Sequence, residues 1–92
     1  MNALIDGAAI HTRAELHDSL EEQLGLPDWY GRNLDALYDC LTDLSEETVV
    51  RLIHPRALEE HLGGYAGVLQ NVLRDAAEDN PRFRFELVED DA

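Results

Sequence analysis

Apolar positions change period several times along the chain, and each change marks an element. Ala3-Leu4-Ile5 is a short apolar run closed by the turn pair Asp6-Gly7, which predicts a brief opening strand. Thr12 and Glu15 form a capping box, in which hydroxyl and carboxylate each accept from a backbone N–H that the first helical turn leaves unbonded. A helix from about residue 13 follows, with Leu16, Leu20 and Leu24 on one face and Gly25 then Pro27 as its stop. Asn33 caps a second helix whose Leu34, Leu37, Leu41 and Leu44 fall on one side. Thr48-Val49-Val50-Arg51-Leu52-Ile53 is β-branched and mostly apolar, the composition of a central strand covered on its faces. Pro55 suits the first turn of a short helix, Arg56 to Leu62, ended by Gly63-Gly64. Ala66, Val68, Leu69, Val72, Leu73 and Ala76 recur at helical spacing as far as Asn80-Pro81. Arg82-Phe83-Arg84-Phe85-Glu86-Leu87 alternates with a period of two, a strand with one wet face, and the acidic tail Glu89-Asp90-Asp91 is expected to fray.

The order is βααβααβ, and helical crossovers of this length join parallel strands. The pattern therefore predicts an α/β architecture, a three-stranded parallel sheet packed with about four helices, in one domain spanning residues 1–92. Ninety-two residues give room for one core and exclude a multi-domain enzyme.

Charge changes the picture more than size does. Twenty Asp and Glu face seven basic residues, all Arg, for a formal charge of -13. A field of that sign repels phosphate backbones and anionic membranes and speeds encounter with basic partners. Direct nucleic-acid binding is not expected, and no apolar run approaches the roughly 20 residues that span a bilayer. The lone Cys40 cannot form an internal disulfide, as is usual in a reducing compartment, so a cytoplasmic location is expected.

Two features carry candidate chemistry. Asp35, Asp39 and Asp43 repeat at i, i+4, i+8 on the face away from the leucines. Like charges at that spacing cost about 0.2–0.5 kcal/mol per pair, and anions near a helix C-terminus about 0.3–1 kcal/mol each. Such a local violation is expected at a functional surface, although an acidic chain could also carry a merely solvated face. Trp29 and Tyr30 lie in a connection bounded by Pro27 and Gly31; Trp29 is expected to face out and Tyr30 to pack in, with Tyr38 between the leucine stripe and the Asp face. His11, His17, His54 and His61 have no metal-ligand spacing and read as surface or partly satisfied histidines, so no metal and no cofactor is expected. Ser19 and Ser45 lack a nucleophile signature, and Cys40, at the margin of the stripe, reads as structural. Asp18-Ser19-Leu20 is similar to the prosthetic-group serine of acyl carrier proteins, but here Ser19 lies mid-helix behind the Thr12 cap. A paired-carboxylate enzyme would need Asp35 and Asp39 in different environments across a cleft, which neighbours on one convex face do not supply. A convex anionic surface instead fits insertion into another protein's cleft.

The stretch LPDWYGRNLDALYDCL, residues 26–41, resembles the signature of the barstar family, intracellular inhibitors of secreted bacterial ribonucleases. The resemblance runs from Leu4 to Thr42 without a gap, loosens, and returns around Val72-Leu73-Arg74-Asp75-Ala76. It implies the three-stranded parallel fold and a second helix that, with its preceding loop, plugs the ribonuclease active site. Asp39 matches the carboxylate that takes the place of a substrate phosphate, and Asp35 a second one that engages an enzyme Arg. Trp29 stands where the family has a Tyr against the catalytic His. Gly31, Asn33 and Thr42 match further contacts, and Asp75 stands for a Glu that reaches another Arg. Tyr38 replaces a Trp and Asp43-Leu44 a Gly-Trp pair, which alters the rim of the contact surface. The resemblance implies a non-enzymatic inhibitor, monomeric when free, of a secreted microbial guanyl-preferring ribonuclease with a basic active site. The alternative is an immunity or binding protein for a different toxin or basic protein.

Overall fold

A computed structural model describes residues 1–90. The elements are β1 (Asn2–Asp6), α1 (Arg13–Leu24), α2 (Leu34–Thr42), β2 (Thr48–Ile53), α3 (Pro55–Leu62), α4 (Gly64–Asp79) and β3 (Phe83–Leu87). All three strands are parallel in the order β1-β2-β3, and Ala3, Val50 and Phe85 lie side by side, as do Ile5, Leu52 and Leu87. The βααβααβ order and the parallel pairing read from the sequence are those of the structure.

Local chemistry explains the boundaries. The Thr12 hydroxyl accepts the Glu15 N–H at 3.1 Å, and the Glu15 carboxylate accepts the His11 N–H at 2.7 Å, so the box closes one residue earlier than expected. Gly25 ends α1 in the left-handed region at φ 58°, where a side chain would be strained. Gly7 is needed for space: a Cβ there would stand 2.1 Å from the His54 carbonyl oxygen, because the end of β1 passes against the start of α3.

One continuous core joins the strands to the helices, with Ile5, Leu16, Leu20, Leu37, Leu52, Leu58, Leu69, Leu73 and Phe83 essentially inaccessible to solvent. The helices cover a single face of the sheet. Thr48, Val50 and Leu52 of β2 are buried, whereas Arg51 on the opposite face is exposed and pairs with Glu86 of β3. The expectation that β2 is covered on its faces is therefore corrected: a β-branched run serves a half-covered central strand equally well, because its neighbours shield it along both edges. Val68 belongs to the helical repeat of α4 but is 51% exposed. The tail does not simply fray, since Asp90 accepts the Arg56 N–H at 3.1 Å and lies 3.5 Å from the His54 ring. It supplies a side-chain acceptor to α3, whose N-cap His54 makes none. Asp91, the other end of that expectation, lies outside the described residues.

Candidate functional site

The connection from α1 to α2, residues 25–33, is fixed by side chains from two helices. Tyr30 is 5% exposed and its hydroxyl meets His17 Nδ1, while His17 Nε2 lies 2.7 Å from the Tyr65 hydroxyl of α4. A neutral imidazole offers one donor and one acceptor, so one phenol donates to the ring and the other accepts from it. Burial, with the Arg32 charge adding to it and Asp18 opposing, holds the His17 pKa below its ordinary value. Burial also pushes the Tyr30 and Tyr65 phenols up. All three rings thus stay uncharged at neutral pH.

Arg32 supplies the second tie. Its backbone takes the left-handed region at φ 54°, and its guanidinium reaches Asp18, Glu21 at 2.8 Å and the Ala14 carbonyl at 3.2 Å. Ahead of these two anchors the Tyr30 N–H closes a turn on the Pro27 carbonyl at 2.9 Å, and Trp29 projects outward, 78% exposed. Trp29 out and Tyr30 in is the arrangement expected.

Asn33 starts α2 by accepting the Ala36 N–H at 2.8 Å and donates to the Gly31 carbonyl at 3.3 Å. A Cβ on exposed Gly31 would crowd both Ala36 and the Asn33 amide at 3.3 Å, so the turn is packed against its own cap. Leu34, Leu37 and Leu41 are buried, which turns Asp35 and Asp39 to solvent. The helix ends at Thr42: Asp43 is its C-cap, with the Asp43 N–H on the Asp39 and Cys40 carbonyls, and Leu44 lies beyond it, half-buried against the core. Leu44 therefore packs from the connection rather than from the helix stripe. The Thr42 hydroxyl donates back to the Tyr38 and Asp39 carbonyls at 3.0 and 3.2 Å. Tyr38 and Cys40 are half-buried against the core, and burial together with Asp39 and Asp43 pushes the Cys40 thiol up, away from reactivity.

Helix α2 has no basic residue in its last turn. One of its last carbonyls, Leu41 O, accepts from the Asn80 amide at 2.9 Å, and the same amide donates to Leu44 O beyond the helix at 3.1 Å. Val68, near the start of α4, borders the same depression as Asp35, while Asn80 past the end of α4 caps the end of α2, so the two helices run in the same direction. Asp75, exposed and seven residues after Val68, lies on that stripe of α4.

Charges at this surface have no ion-pair counterpart among the described residues. Arg side chains pair with Asp18, Glu21 and Glu86, and the His11 and His54 rings lie 3.7 and 3.5 Å from Glu15 and Asp90, whereas among the described residues no such contact engages Asp35, Asp39 or Asp43. Asp39 and Asp43 border a cleft of about 480 Å³ with Trp29 on its wall and Leu24, Leu26 and Leu44 beneath. Asp35 borders a separate depression with Arg32, Asn33 and Tyr65. Asp35 and Asp39, the pair weighed for acid–base work, thus border different depressions.

Three positioning residues escaped the sequence reading. His17, grouped with the surface or partly satisfied histidines, is 2% exposed and bonded at both ring nitrogens; its spacing of seven residues from Leu24 puts it on the apolar face. Asn80 read only as a helix terminator, and nothing local marks it as a partner for carbonyls 36 and 39 residues away. Arg32 lies within the signature, but its contacts with α1 are tertiary.

Residues 1–88 match the protein family described as Barstar (barnase inhibitor). A protein of Bacillus subtilis (strain 168) named "Putative ribonuclease inhibitor YrdF" is 38% identical over 77 residues, covering 83% of this chain and 85% of that protein.

Proposed function

Because the chain belongs to the barstar family, whose role is ribonuclease inhibition, we propose that it blocks a secreted, guanyl-preferring microbial ribonuclease by seating α2 and the preceding loop in the active site. Asp39 takes the place of the scissile phosphate. A site built from Arg, Lys and His to hold that phosphate offers charge-assisted hydrogen bonds to a carboxylate at the same position. Asp35 and, along α4, Asp75 engage further cations. Trp29 packs on the catalytic imidazole, and Gly31, Asn33, Tyr38, Thr42, Asp43 and Leu44 form the surrounding contacts. The inhibitor performs no chemistry and acts in the cytoplasm.

One observation carries this reading. Among the described residues Asp35, Asp39 and Asp43 follow one another at one-turn intervals with no ion pair, and Asp39 and Asp43 share a cleft with a 78% exposed Trp on a loop fastened by His17, Tyr65 and Arg32. A surface ordered before docking loses little conformational entropy on binding. Titrating the inhibitor against a panel of small microbial ribonucleases is the test. Stoichiometric loss of activity with a guanyl-preferring enzyme is the expected result. Inhibition confined to enzymes without that preference removes the assignment of the target, and co-purification with a basic protein that is no ribonuclease replaces it.

A further inference from the structure

The outer strands of a sheet each leave one backbone edge without a neighbour, and the two edges here differ. On β1 the Gln23 side chain acts as a substitute strand: its amide N–H donates to Leu4 O at 2.8 Å and its oxygen accepts Leu4 N–H at 2.7 Å. On β3, Arg82 O accepts from Thr48 and Val88 N–H donates to Leu52, so the even-numbered residues face β2. Phe85 and Leu87 consequently turn their N–H and C=O groups outward, where they have no hydrogen-bond partner among the described residues. Their side chains form the half-buried margin of the core.

The strand is also polarised. Arg82 and Arg84 occupy its entry and first half, and Glu86 and Glu89 its second half and exit. Arg84 is exposed with no ion pair among the described residues, and Glu86 has only Arg51. A strand basic at one end and acidic at the other complements itself in the antiparallel sense only. A twofold axis at Phe85 pairs Phe85 with the second copy's Phe85 through both backbone bonds. It sets Arg84 opposite the second copy's Glu86 in the closely spaced, non-hydrogen-bonded position, where Cα atoms approach to about 4.5 Å. Cross-strand pairs of opposite charge at that spacing are favourable.

We propose that β3 is a docking edge for a second copy of this chain, joining two sheets into a continuous six-stranded one with reciprocal Arg84–Glu86 pairs. This stands apart from ribonuclease inhibition, and it revises the expectation of a free monomer. The charge of -13 on each copy opposes association at long range. Salt screens that repulsion beyond a Debye length while contact pairs persist, so the dimer tightens between about 10 mM and about 150 mM salt.

Sedimentation equilibrium of the full chain tests the proposal. The expected result is a concentration-dependent monomer–dimer equilibrium. Arg84→Glu and Glu86→Arg each set like charges against each other twice, and each weakens dimerisation by at least about tenfold. Mixed in equal amounts the two variants are complementary, and the mixture dimerises about as well as the wild type. Glu86→Arg also faces Arg51, so Arg84→Glu, which breaks no intramolecular pair, provides the independent arm when titrated with wild type, where the affinity falls between those of the two homodimers. A wild type that is monomeric throughout, a dimer indifferent to Arg84→Glu, or a mixture no tighter than its components overturns the proposal.

Discussion

Asp39 sits mid-face on a short helix with Asp35 one turn before it and Asp43 one turn after, and among the described residues no cation pairs with it. A basic partner site that closes over it is left with desolvated, unmatched donors when it is removed. Asp39→Ala therefore weakens ribonuclease binding by about 2–5 kcal/mol, a general range for truncating one member of a buried charge pair to which the barstar–barnase complex itself contributes. Glu60→Ala, an exposed carboxylate on α3, changes binding little, and inhibition titrations of the two variants side by side give the comparison. His17 acts instead through the loop it holds. His17→Leu strands two phenolic hydroxyls and destabilises the free domain by about 2–4 kcal/mol at pH 7.5. Since burial lowers the His17 pKa in the folded state, the unfolded chain takes the proton first as pH falls through about 6.5. The stability due to neutral His17 is present above that pH and lost below it. Urea melts at pH 7.5 and pH 5 accordingly show the gap between wild type and variant narrowing at the lower pH.

At the scale of the element, α2 is legible from sequence in every respect but its ending. The Asn33 cap, the Leu34-Leu37-Leu41 stripe and the Asp face are local, period-based features, and the structure reproduces them. At that end Asn80 holds the Leu41 and Leu44 carbonyls, a tertiary contact that periodicity along the chain does not contain. The same division holds elsewhere. Strand β2 was readable as a strand because β-branched residues suit an extended backbone, but whether one face or both are covered depends on where four helices pack. His17 and Arg32 were legible as residue types and illegible as fasteners, since their partners are 13 and 48, and 11 and 14, residues away. Asp39→Asn with Asp43→Asn tests whether the anionic face is retained against the interest of the helix. Removing like-charge contacts and an unfavourable dipole interaction stabilises the free domain by about 1 kcal/mol while inhibition is lost. Denaturant melts and inhibition titrations on the one variant show the two quantities moving in opposite directions.

Across the whole molecule, -13 formal charges on a chain of 92 residues act well beyond any single contact. Association with a basic enzyme is steered by that field, so its rate constant falls steeply as ionic strength rises while dissociation changes less, as stopped-flow mixing over a salt series measures. Architecture and charge together were the most legible level, because α/β order and net charge are sums over many residues and tolerate local errors; the open edge of β3 emerges only once strand order is known. The outward placement of Trp29, the only tryptophan, has a further consequence for how this molecule reports on itself. An indole that is 78% exposed in the native state has nearly the same aqueous surroundings in the unfolded chain. Its emission is accordingly almost silent to folding, and a fluorescence melt of the free protein understates the transition that backbone circular dichroism records. In the docking proposed above the partner closes over the loop, so the indole leaves water and its emission shifts to the blue. Such a probe is blind to the protein's own core and would be sensitive to the proposed complex.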